Sequence, residues 1–143
     1  MFDTGHLHPM IVHFPIALTM VGAMLETVRF FFGKSDPKKL SSGELLLYFA
    51  TASALLALLT GFLFTSTLSG KALEVRNLHV LFAIMTTVSL LATSFFYLLV
   101  RFKKQAGKTF RFVGLLFYIV SALLTGAAGY MGGTLVYTYM IGI

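Results

Sequence analysis

Four apolar stretches, each about as long as a bilayer is thick, constrain this chain more than any other feature. They run roughly from Pro9 to Phe32, Leu45 to Leu68, Leu78 to Val100 and Phe112 to Gly129. About 20 apolar residues wound as a helix cross the hydrocarbon core. None of the four alternates in the manner of a barrel strand. Composition agrees: 57% of the residues are hydrophobic and 11% charged, where a soluble domain carries about a quarter charged. The expectation is an all-α integral membrane protein, a single domain of 143 residues forming a four-helix bundle, with a glycine-rich tail over residues 130–143.

The breaks between the stretches set the expected topology. The first, "GKSDPKKLSSGE", holds three lysines and one aspartate. The second, "STLSGKALEVRN", is nearly balanced. The third, "RFKKQAGKTFR", holds five basic residues and no acid. Short basic loops stay in the cytoplasm, so breaks one and three belong inside, and the second break and both termini outside. The net charge of +6 is therefore a membrane signature rather than a nucleic-acid one. The start "MFDTGHLHP" has no basic segment ahead of its apolar run and does not read as a cleaved signal peptide. With no cysteine in the chain, disulfides, thiolate metal sites, iron–sulfur ligation and covalent c-type haem are excluded.

Small residues recur at four-residue spacing: Ala57 and Gly61, Ala122 and Gly126, Gly129 and Gly133. They let helices approach closely in lipid, and they equally allow a flat cofactor to lie on a helix. Hydroxyl residues are frequent in stretches two and three (Thr51, Ser53, Thr60, Thr86, Thr87, Ser89), where most are expected to bond back to their own helix.

The four histidines, His6, His8, His13 and His79, all fall toward the expected outer side. His6 and His8 sit at the water boundary and read as interfacial residues. His13 lies four residues after Pro9, and His79 three after Arg76, so both lie about 5–6 Å below a polar boundary. Ionisable groups inside a membrane are costly and mark function. Two imidazoles at matched depth on parallel helices suit one metal held from opposite sides. Pro9 and Pro15 leave two readings of the first helix. Either it starts at Pro9 and continues through Pro15, freeing the carbonyl of Ile11, or it starts near Pro15 after an irregular stretch. Both distort the end that carries His13.

Zinc or copper wants three or four ligands, which the four histidines could supply in principle, but Asp3 is the one carboxylate near them. Haem b needs two axial ligands and an apolar slot between helices. Gly61, Gly126 and Gly129 would let the ring approach, and Arg76, a turn above His79, would pair with a propionate. Glu26 and Arg29, three apart near the inner end, read as an interfacial ion pair. Glu44, Glu74, Lys34, Lys38 and Lys39 read as solvated ends. Tyr130, Tyr137 and Tyr139 suit an outer aromatic belt. No nucleophile–base pair, phosphate loop or paired-carboxylate site is present.

"HPMIVHFPIAL" near the N-terminus, "LH" at Leu78–His79 and the closing "GYMGGTLVY" resemble the bacterial membrane family called domain of unknown function 2231. The resemblance covers nearly the whole chain. It implies a small four-helix membrane protein in a redox context, since some members are fused to or encoded near Rieske-type iron–sulfur domains. It also implies roles for His8, His13 and His79, on which the motif histidines fall. A further histidine that often follows the tail motif is replaced here by Thr138 and Tyr139. The expected function is a small b-type cytochrome of a bacterial inner membrane, an electron-transfer subunit of a larger redox or respiratory complex. His13 and His79 would ligate the iron near the outer face, with Rieske-type or cytochrome partners. The alternatives are a non-redox structural or assembly subunit, and a histidine copper or zinc site.

Overall fold

The computed structural model describes residues 7–33, 39–64, 68–103 and 107–140. Asp3, His6, Lys34 and Lys38 lie outside the described residues. Four helices account for almost all of what is described: α1 (Leu7–Phe32), α2 (Ser42–Phe64), α3 (Gly70–Phe102) and α4 (Lys108–Tyr139). Each is long and apolar enough to cross a membrane, and no strand occurs among the described residues.

Local chemistry explains the helix ends. α1 runs unbroken through Pro15, which is the first of the two readings of the prolines. Pro9 lies in the first turn, where no backbone N–H is needed. α3 is preceded by Ser69 in extended conformation and opens at Gly70, whose φ of +61° suits glycine.

α3 and α4 depart from the expected boundaries. α3 starts at Gly70, not near Leu78, and α4 continues to Tyr139, so residues 130–139 are helix and not a separate tail. At 33 and 32 residues these helices are about 48–50 Å long, well beyond a core of about 30 Å. The segment "KALEVR" is made largely of good helix formers. Its charges mark where lipid ends, and a helix has no reason to end there.

α1 packs on α2 and α4, and α3 on α4 and α2. The most extensive packing is within α1–α2 and within α3–α4, so the bundle is two helical hairpins laid together. The C-terminal ends of α1 and α3 meet the starts of α2 and α4 at one end, the basic end. His8 and His79 mark the opposite, histidine end. Large apolar side chains such as Phe14, Phe49, Val88 and Leu123 face outward, while the interior holds small residues and hydroxyls. Among the described residues, buried polar side chains are almost as many as buried apolar ones. Lipid gives no hydrophobic reason to bury large side chains, so packing favours small ones.

At the basic end, ion pairs join the hairpins. Glu26 of α1 is fully buried. It lies 3.4 Å from Arg29 and 3.6 Å from Arg111 of α4, and it accepts a hydrogen bond from Ser41. Glu44 of α2 meets Arg101 of α3 at 2.7 Å and accepts from Tyr48 at 2.8 Å. The Glu26–Arg29 pair is therefore buried rather than interfacial. Glu44 is not a solvated end either: a cation on the facing hairpin draws it inward. Glu74 and Lys39 are exposed.

Candidate cofactor site

The two rings that meet across the histidine end are His8 and His79. Their centres lie 6.2 Å apart, with planes at 81°. Each is held from behind by its own hairpin. His8 Nδ1 lies 3.2 Å from the Thr60 hydroxyl oxygen of α2. That hydroxyl donates its hydrogen to the Ala57 carbonyl at 3.0 Å, so toward His8 it acts as acceptor. His79 Nδ1 donates to the Ala128 carbonyl of α4 at 2.9 Å. In its neutral form each ring so held carries its hydrogen on Nδ1 and a lone pair on Nε2. Among the described residues neither Nε2 has a hydrogen-bond partner.

Glycines make room for the rings. A methyl group at Gly61 would stand 3.0 Å from His8 Cε1, and one at Gly132 would stand 3.2 Å from His79 Cε1. A cavity of about 380 Å³ lies between the helices. His8, His13, Arg76 and His79 border it, as do Gly61, Gly129, Gly132 and a mainly apolar wall that includes Val12, Ile16, Leu58 and Val80.

The structure does not pair His13 with His79 as the matched depths suggested. His13 is exposed, and its Nδ1 donates to the Pro9 carbonyl of its own helix at 2.6 Å. Two causes are visible. His13 follows His8 by five residues, about 140° around the helix, so both cannot face inward. His79 also lies nine residues inside α3, because that helix starts at Gly70, and so its depth is not set by Arg76. Of the other residues singled out, Arg76, Gly61 and Gly129 border the cavity and Gly126 does not. The open side of Gly126 faces Met20. Thr60, Ala128 and Gly132 were missed. Thr60 adjoins Gly61 and Gly132 lies in the tail motif, so both had a signal. A backbone carbonyl has none.

Two lone-pair nitrogens cannot bond each other, and a positive centre or a hydrogen donor satisfies both. Among the described residues no three histidine, cysteine or carboxylate side chains come together. Two histidines beside an apolar slot are a set that a group needing two protein ligands, such as haem, would fit. The slot volume falls within the range of small-ligand pockets.

Fold and site together define a small four-helix membrane protein with a histidine pair set across its interior. The family described as "predicted membrane protein (DUF2231)" matches residues 5–143, and the chain belongs to it. Neither the search among curated proteins nor that among solved structures finds a match.

Proposed function

We propose that the chain is a small b-type membrane cytochrome, an electron-transfer subunit of a larger redox or respiratory complex in a bacterial inner membrane. The observation that carries the reading is the His8–His79 pair, whose Nε2 atoms are open and whose Nδ1 atoms are anchored. His8 and His79 would hold the haem iron. Gly61, Gly129 and Gly132 would leave room for the ring, and Arg76 would pair with a propionate through a charge-assisted bond. Haem b, when bound, supplies one-electron exchange at its iron. The chain's own groups do the rest. Thr60 and the Ala128 carbonyl fix the rings' orientation and tautomer, and the apolar wall keeps water from the site. With the basic loops in the cytoplasm, the histidine end faces the periplasm, and Rieske-type or cytochrome partners would dock there.

The test is the visible spectrum of the purified protein, oxidised and dithionite-reduced. Six-coordinate low-spin haem is expected. His8→Ala or His79→Ala should abolish or strongly perturb it, whereas His13→Ala should leave it largely intact. Haem-free protein of ordinary stability would overturn the reading in favour of a structural or assembly subunit. Copper or zinc in place of iron, by elemental analysis, would replace it with a histidine metal site.

A further inference from the structure

We infer that the seam between α1 and α4 is a window at which a lipid-soluble quinol binds from the bilayer, its phenolic hydroxyl donating to His13 Nε2. The site is separate from the His8–His79 pair and does not depend on what that pair holds.

His13 is the motif histidine that the pair leaves over. It stands about 7–8 Å inside the apolar span that begins at His8, and it is exposed there. Around α1 it lies about 20° from Met20 and about 60° from Ile16. Those two side chains face α4: a methyl group on Gly126 would stand 3.5 Å from Met20, and one on Gly129 would stand 3.6 Å from Ile16. His13 is thus on the outer edge of the same seam. The two helices run antiparallel, so this register carried one turn toward the histidine end sets His13 level with Gly133. A methyl group on Gly133 would meet no atom within 4 Å. His13, Gly129, Gly133 and Tyr137 all border the cavity. The cavity therefore reaches lipid between a histidine on one helix and bare glycine backbone on the other.

His13 Nδ1 donates to the Pro9 carbonyl at 2.6 Å, so the neutral ring keeps a lone pair on Nε2. Among the described residues that nitrogen has no hydrogen-bond partner. An open acceptor facing hydrocarbon costs free energy, and a hydrogen donor arriving from lipid removes that cost. The donor must be neutral, because the wall around it is mainly apolar. That excludes a phospholipid headgroup, whose phosphate also has no hydrogen to give at neutral pH. A flat ring suits the opposite lip, since Gly129 and Gly133, four apart, lie on one face of α4 and leave its backbone bare. A hydroquinone on an isoprenoid tail combines a neutral phenolic hydroxyl, a flat ring and solubility in the bilayer. Its tail would stay in lipid while its ring entered the window.

The test is equilibrium binding of decylubiquinol to the full-length protein in phosphatidylcholine nanodiscs, against protein-free discs, with dithionite present to keep the quinol reduced. Its di-O-methyl ether, which keeps ring and tail but has no O–H, is the control. Wild type should bind the quinol about three- to tenfold more tightly than the ether, the worth of one hydrogen bond. His13→Ala should lose that preference, and Gly133→Leu, which fills the window, should weaken binding of both. In histidine-labelled protein the quinol should shift the nitrogen NMR resonance of His13 Nε2. Equal affinity of quinol and ether in wild type would overturn the proposal, as would an undiminished preference in His13→Ala. Displacement of the quinol by phosphatidylglycerol added to the discs would also overturn it, making the window a phospholipid site. His13→Ala places a good helix former at an exposed position, so the comparison is available whether or not Gly133→Leu folds. The haem spectrum is read separately and does not require His13, so failure here is distinct from failure of the cytochrome reading.

Discussion

At the residue scale the histidine pair is governed by what stands behind it. A ring whose Nδ1–H is held presents Nε2 at a fixed angle, and removing such a holder weakens metal binding by about 10–100-fold. Thr60→Val removes the acceptor of His8 Nδ1–H while keeping the side-chain volume. Its haem affinity, measured by titration of the apoprotein, should fall by that order with an unchanged helical circular dichroism spectrum, and Thr60→Ser should restore it. Equal affinity in Thr60→Val would mean that the hydroxyl does not orient the ring. Part of this arrangement was legible beforehand. His79, Arg76 and Gly61 stood out by type and position, and all border the cavity. The choice of His8 over His13 was not legible, because it depends on the rotation of α1 against α2, and spacing along one helix does not report that. Burial of Glu26 and Glu44 was hidden for a related reason: their partners Arg111 and Arg101 lie far along the chain.

At the element scale glycines divide into those that seat a ring and those that only join helices. Gly61 stands against His8, whereas a methyl group at Gly126 would meet nothing closer than Met20 at 3.5 Å. Gly126→Ala should therefore raise stability by about 0.5–1 kcal/mol through its helix propensity. Gly61→Val should push His8 aside and lose the haem spectrum while the helices persist. Thermal unfolding in detergent and the visible spectrum would check both, and a Gly61→Val protein with a normal spectrum would remove Gly61 from the site. The number and order of helices followed directly from the apolar stretches, since lipid dictates both length and composition. The extra turns of α3 and α4 at the histidine end did not. They lie where hydropathy falls but helix propensity does not.

At the scale of the whole molecule, the helix ends that flank the two basic segments meet at one end of the bundle, so the charge rule yields a single orientation for all four helices. A reporter fused after Ile143 should be active on the periplasmic side, and cytoplasmic activity would reverse the proposed placement of the histidine end. The division into hairpins has a further consequence, for biogenesis. The ion pairs between α1 and α4 and between α2 and α3 cross from one hairpin to the other, as does the His8–His79 contact. A hairpin inserted alone would leave Arg101 and Arg111, or Glu44, without the ion-pair partner that the other hairpin supplies, whereas Glu26 would keep Arg29 of its own helix. Each half thus presents a charge whose partner lies in the other half. Fragments severed between α2 and α3 should accumulate in cells when co-expressed and be cleared by membrane proteases when made singly. Stable accumulation of either fragment alone would show that the charged joints are dispensable. Clearance of the single fragments would instead make the polar seam a proofreading device, letting the membrane retain only chains whose two halves have found each other.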